Sequence, residues 1–167
     1  MPNPRPGGLP TVTLVLLLLV AGCTPRGHPP GIRGQAPSQE SSAVAAEYLA
    51  AAEPANRRLD AEVQSYAHHE HRNLAAAEAA LRAEAATERW FDQRLLKIPF
   101  TPPAAVIARA LVDANERRAE LAVRQAGSPS LTELQSFTRH HQSADAAVEA
   151  QVKAIRRTLG LPPPKTS

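Results

Sequence analysis

Residues 73–98 read NLAAAEAALRAEAATERWFDQRLLKI, and the fold is decided by how this stretch is read. Leu74, Ala77, Leu81, Ala85, Phe91, Leu95 and Ile98 line one side of a 3.6-residue turn, which predicts an amphipathic helix. Asn73 is a suitable cap, because its side-chain oxygen can accept from an orphan N–H of the first turn. Glu78 and Arg82 form an i,i+4 pair on the outside, worth a few tenths of a kcal/mol, and Pro99 ends the helix.

The same period extends on both sides. Upstream, Val44, Tyr48, Ala52, Ala55, Leu59, Val63 and Tyr66 make a stripe from about Ser41 onward. Pro54 falls inside it, lacks an amide donor and crowds the preceding turn, so a kink is expected there; the alternative is two helices with Pro54 opening the second. Downstream, Thr101-Pro102-Pro103 restarts a helix with threonine as cap, and Ile107, Leu111, Ala114, Arg118 and Leu121 form its stripe. Gly127 closes it with left-handed cap chemistry. Ser130-Leu-Thr-Glu133 is a capping box that starts a fourth helix carrying Leu134, Phe137, His141, Ala144, Val148, Val152, Ile155 and Leu159, stopped by Gly160. Four amphipathic helices on short loops predict an all-α, antiparallel up-down four-helix bundle.

The chain ahead of residue 41 is different in texture. Arg5 is followed by an apolar run, Leu14 to Gly22, that is too short to cross a ~30 Å hydrocarbon layer and ends on the lone cysteine, Cys23. One exported cysteine closes no internal bridge, and left bare it would be a reactive thiol. Residues 24–40 are rich in proline and glycine without any period, as a flexible tether is. The expected organisation is therefore a signal peptide over 1–22, a modified cysteine and tether over 23–40, a helical domain over 41–160 and a Pro-rich tail over 161–167. With 22 residues removed from 167, enough chain remains for one domain.

Charge argues against a nucleic-acid partner. The sequence pI is near 9.5, yet from residue 41 onward 16 Lys/Arg stand against 15 Asp/Glu, interleaved along the helices. The basic excess sits at Arg5, Arg26 and Arg33.

Among side chains able to do chemistry, His68, His69, Glu70 and His71 are donor types that suit zinc, copper or nickel. Their spacing lacks the i,i+4 step of helical metal ligands, so a solvated polar turn is the simpler reading and a metal-binding or metal-handing protein the alternative. His140 and His141 lie about ten residues, roughly 15 Å, into the fourth helix, too far to join them. His141 falls on the buried stripe and is expected to be a satisfied core histidine. Glu84 and Glu88 fall on or beside the second stripe with Arg118 as their counter-charge; without two Glu-x-x-His motifs they make no di-iron site. Trp90, beside Phe91, is either a plug between helices or a partner contact. The sequence shows no catalytic constellation, no phosphate-cradling glycine loop and no cofactor motif.

Val20-Ala21-Gly22-Cys23 resembles the lipobox of bacterial lipoproteins. The resemblance implies diacylation of Cys23, removal of the signal peptide and anchoring at the extracytoplasmic face of the cell membrane. Two acyl chains hold a protein stably, at ~0.8 kcal/mol per buried methylene. Ala45-Ala46-Glu47-Tyr48-Leu49, Glu53–Asp60 and Thr87–Asp92 are similar to pieces of small actinobacterial lipoproteins of no assigned activity. That likeness implies location and helical fold. The expected function is a non-enzymatic interaction module of the cell envelope, without cofactor, its partner an envelope protein or ligand.

Overall fold

The structure, a computed structural model, describes residues 39–164. These form five helices: α1 (Gln39–His69), α2 (Leu74–Leu95), α3 (Ala104–Gln125), α4 (Leu131–Ser136) and α5 (Thr138–Thr158). No strand occurs among the described residues, and no helix there is long and apolar enough to cross a membrane. Cys23 and the segments read as signal peptide and most of the tether lie outside them.

Helix α2 packs between α1 and α3, and α5 packs on α3. That central position explains why the buried face of α2 is broader than its apolar stripe. Ala80, Glu84, Thr87, Glu88 and Asp92 are buried along with Ala77, Leu81, Ala85, Phe91 and Leu95. Asn73 caps α2 as expected, its Oδ1 accepting from the Ala76 amide at 3.1 Å. The helix stops at Leu95, and Ile98 follows in a turn. Helix α1 runs through Pro54 without dividing, so a second helix opening there does not occur.

Three local expectations are corrected. Thr101 does not cap α3: the helix begins at Ala104 with Pro103 in the cap position and no side-chain cap bond. The residue before a proline is pushed out of the α region, so Pro102 cannot be the first helical residue ahead of Pro103. Gly127 does not adopt a left-handed conformation, since α3 ends through the bonds Gly127 N–H to Arg124 O and Ser128 N–H to Gln125 O, at 3.1 and 3.0 Å. These i→i+3 bonds tighten the last turn and satisfy the carbonyls without it.

The fourth helix is two helices. Ser130 caps α4, accepting from the Glu133 amide at 3.3 Å, but the run breaks at Phe137. Ser136 Oγ donates to the Glu133 carbonyl at 2.6 Å and Thr138 Oγ1 to the Gln135 carbonyl at 2.8 Å. Hydroxyls that take backbone carbonyls in this way compete with the helical ladder. The apolar phase survives the break, because Leu134 and Ile155 are both fully buried. Helix α5 ends as predicted. Gly160 has φ +68, its N–H donates to Arg157 O at 3.1 Å, and the Leu161 N–H donates to Arg156 O at 2.8 Å. This is the paired-bond left-handed stop that glycine favours. Arg156 Nε then holds the Pro162 carbonyl at 2.7 Å, so the first part of the Pro-rich tail is docked.

The core divides in two. One cluster gathers Tyr48, Phe91, Leu95, Leu111 and Ile155 with small residues of α1 and α3. The other gathers Ala77, Ala85, Ala119, Ala122 and Ala126 around Leu81 and Leu134. Between them along α2 and α3 lies a polar layer.

Candidate functional site

The polar layer is built by α2 and α3, with single carboxylates added from α1 and α5. Glu84 and Glu88 are one turn apart on α2, and Arg118 faces them from α3, as the sequence suggested. Arg118 Nη2 lies 2.7 Å from Glu84 Oε1, and Arg118 Nη1 donates to Glu88 Oε1. A third carboxylate, missed in the sequence, comes from α5: Arg118 Nε donates to Asp145 Oδ1 at 2.6 Å. One turn from Glu88, Asp92 accepts from Asn115 Nδ2 at 2.7 Å, and Thr87 Oγ1 donates to Glu62 of α1 at 2.8 Å. Exposure decides the character of the layer. Glu84 and Glu88 are 5% and 2% exposed, whereas Asp145 reaches solvent at 52% of its side chain.

Three carboxylates share one guanidinium, so the cluster has an excess of negative charge that burial makes costly. Burial pushes Glu84 above the usual carboxylate range, with Arg118 working against it. Glu88 is raised to about 8 by burial, again against the pull of Arg118. Asp92 is raised to about 6 by burial, partly offset by the Asn115 hydrogen bond. Burial disfavours the charge on Arg118, yet Glu88, Glu84 and Asp145 together hold it more firmly protonated than a free arginine.

Beside this layer lies a cleft of about 70 Å³ between α1 and α5, with α2 and α3 as its floor. Ala52 and Leu59 of α1, Phe91 of α2, Leu111 of α3, and Val148 and Val152 of α5 give it apolar walls. Glu88, Asn115 and Arg118 also line it, and Tyr48 and Arg156 border it. Glu88 Oε2 is buried with no hydrogen-bond partner. Burial raises the Tyr48 hydroxyl to about 12, with Arg156 opposing the shift.

His141, expected to be a satisfied core histidine, is only half-buried, and its Nε2 is buried without a partner. Burial lowers its pKa, with Asp145 opposing. The break at Phe137 starts α5 three residues before it, so its ring is set by the first turn of a new helix.

The histidine turn does not converge on a point. His68 and His69 meet edge to face with ring centroids 4.7 Å apart. His71 Nδ1 pairs with Gln135 Nε2 at 2.7 Å, and its Nε2 lies 3.3 Å from Glu70. Gln135 also donates to the Glu70 carbonyl at 3.0 Å, so these residues tie the α1–α2 turn to α4. Among the described residues no group of three or more His, Cys, Asp or Glu side chains is arranged to hold a metal ion.

Trp90 is half-buried and packs against the Tyr48–Leu111 cluster. Two guanidiniums lie over its ring, Arg58 at 4.3 Å and Arg94 at 4.6 Å from the centroid. Such contacts are worth about 0.5–1 kcal/mol each at exposed sites. The indole therefore both packs and presents a basic, aromatic patch. No family model, curated protein or solved structure matches this chain.

Proposed function

We propose that this chain is a bacterial lipoprotein, exported by its signal peptide and held to the extracytoplasmic face of the cell membrane by acylation of Cys23. Its helices form an up-down four-helix bundle with the first helix bent at Pro54, α4 and α5 together making the fourth member, and the bundle acts as a non-enzymatic interaction module of the envelope. The observation that carries the reading is the order of apolar run, small residues and single cysteine from Leu14 to Cys23. It is supported by the position of the first described helix, which begins at Gln39 just past the Pro/Gly-rich segment. The similarity to small actinobacterial lipoproteins belongs to the same proposal.

The partner contact assigned to this module is Trp90 with Arg58 and Arg94. Both arginines are exposed while the indole between them is anchored in the core, an arrangement that suits a carboxylate-bearing protein surface.

The test is mass analysis of detergent-extracted protein. A mature chain starting at Cys23 and carrying a diacylglyceryl group is expected, with Cys23→Ala moving to the soluble fraction. An unprocessed N-terminus with a free thiol would defeat the anchor. For the partner, the double change Arg58→Glu/Arg94→Glu should abolish cross-links to envelope proteins in intact cells while costing no more stability than the two ring contacts supply, about 1–2 kcal/mol. Undiminished cross-linking removes the patch from the account.

A further inference from the structure

We propose that the end of the bundle where α1 begins, α2 passes into α3 and α5 stops lies against an anionic lipid bilayer, with Leu96 and Val106 entering the headgroup region and Lys97, Arg109 and Arg157 on the phosphates. The inference goes beyond the anchor and rests on that reading for one thing, that a membrane stands within reach of Gln39. It uses none of the residues of the Trp90 patch.

Topology brings these groups to one end. Ser41 and Val44 of α1, the α2–α3 connection from Thr101 to Ala104, and Thr158 and Leu159 of α5 line a single pocket. Leu96 and Lys97 belong to that connection, Val106 and Arg109 to the first two turns of α3, and Arg157 to the last turn of α5. Apolar exposure is concentrated there. Among the described residues the exposed large hydrophobics are Leu96, Val106 and Val123, and the two most exposed, Val106 at 65% and Leu96 at 60%, are both at this end. Pro99, Pro102 and Pro103 between them are exposed as well. Charge is concentrated at the same end. Residues 93–110 and 150–164 carry three Lys/Arg each and no acid, whereas the rest of the chain from residue 41 onward has 10 Lys/Arg against 15 Asp/Glu. A domain that is nearly neutral as a whole is thus polarised along its length.

Not all six cations are free to act. Arg94 lies over Trp90, Lys153 pairs with Glu149 at 2.5 Å, Arg156 is buried, and α1 adds Glu47 as an exposed acid. Lys97, Arg109 and Arg157 stay exposed and form no ion pair among the described residues. Aliphatic side chains flanked by Lys and Arg suit the boundary between headgroups and acyl chains, the stems lying on apolar surface while the charges stay with the phosphates. Each Lys or Arg held at an anionic surface strengthens binding by about fivefold, and the gain fades within a Debye length. A protein partner would match the cations equally, but the tether decides which end meets the bilayer. Helix α1 starts at this end, and residues 23–39 span at most about 55 Å.

The experiment reconstitutes the full chain into nanodiscs of phosphatidylglycerol or of phosphatidylcholine, each doped with a gadolinium-chelating lipid, and follows the methyl resonances of Leu96, Val106 and Val123. Val123 is the internal control, about 25 Å from Val106 along α3. The tether alone gives the same proximity on both discs, so the contrast between them reads the contact. On phosphatidylglycerol, Leu96 and Val106 should relax roughly fivefold faster than Val123, and on phosphatidylcholine or in about 0.5 M salt the ratio should fall roughly threefold. Lys97→Glu/Arg157→Glu should bring the phosphatidylglycerol ratio down to the phosphatidylcholine value, and Leu96→Ser, read at Val106, should lower it about twofold. Circular dichroism checks that each variant folds, and Arg109→Glu takes the place of the double variant if that one does not. The same ratio on both discs, a ratio unmoved by the charge reversals, or Val123 relaxed as strongly as Val106 would each overturn the proposal. So would Leu96 and Val106 shifts that follow protein concentration in place of lipid, the mark of a second copy on this surface. An unprocessed N-terminus would defeat the anchor but still hold the chain to the disc by its apolar run, so the two failures are told apart.

Discussion

Around Leu111 the core is filled by Tyr48, Phe91, Leu95 and Ile155, whereas around Ala122 it is filled chiefly by alanine, with Leu81 and Leu134 as its large buried members and Tyr66 and Leu74 packed on its edge. The first region holds its helices apart with bulky side chains and leaves a cleft where α5 and α1 fail to close. The second lets backbones approach closely and uses a short helix, α4, to insert a single leucine. Gln125 completes that plug by donating to Tyr66 Oη at 2.9 Å and to the Leu134 carbonyl at 2.7 Å. Bulk tolerates a gap because many contacts remain around it. Alanine packing does not, since each residue has few atoms to offer and no room for more.

The layer between the two regions should give the largest effect. Arg118→Met leaves Glu84 and Glu88 buried without their cation, and breaking a buried pair this way costs about 3–5 kcal/mol. Thermal unfolding followed by circular dichroism would measure it, and the deficit should be larger at pH 9 than at pH 6, because Glu88, held at about 8 beside Arg118, ionises over that interval. A loss below about 1 kcal/mol would mean that the two regions are not joined through this layer.

The regions themselves are separated by opposite substitutions. Leu111→Ala should cost about 2–5 kcal/mol by opening a cavity at the bulky end. Ala122→Leu should cost about 1–3 kcal/mol by overpacking the alanine end. If Ala122→Leu is neutral in chemical denaturation, the two regions do not differ as described.

Acidity offers a gentler probe. Glu88 and Asp92 titrate near 4 in an unfolded chain but are held at about 8 and about 6 in the native one. The folded state then binds more protons, so their contribution is complete below about pH 4 and is lost as pH rises through 6 and 8. Melting temperature should fall from pH 5 to pH 8, by an amount on the order of 1–3 kcal/mol in stability, and Glu88→Gln should flatten the upper part of that fall. A wild-type melting temperature that climbs over this range contradicts the assignment.

The two glycine stops give the smallest contrast. Gly160→Ala meets no neighbour within 4 Å, so its cost is purely the positive φ, about 1 kcal/mol. At Gly127 the added carbon would meet only the Arg124 carbonyl at 3.4 Å, and the change should be neutral or stabilise by up to about 1 kcal/mol.

What could be read in the chain beforehand follows the same division. Periodicity located α2 and α3 well because their buried faces repeat every turn, and Asn73 and Ser130 announced their helices through chemistry that acts within three residues. Glu84, Glu88 and Arg118 were also legible, being charges on apolar stripes. Asp145 was not, because nothing local distinguishes it from other exposed acids; only the approach of α5 to α3 brings it to Arg118. The break at Phe137 was hidden for a related reason. An apolar stripe continues in phase across it, and the two hydroxyls that divert the backbone look like ordinary helix residues until their partners are seen. The cleft had no signature at all, since it arises from how far apart two helices stand.

The start of α1, the α2–α3 connection and the end of α5 meet around one pocket formed by Ser41, Val44, Thr101, Pro103, Thr158 and Leu159. The turn at His68–His71 and helix α4 are at the opposite pole, joined through Gln135. With 31 residues at 1.5 Å each, α1 separates these poles by about 45 Å. If the proposed anchor at Cys23 holds the chain ahead of Gln39, the bulky-cored pole is the end joined to the anchor and the histidine-bearing tip is the end turned away from it.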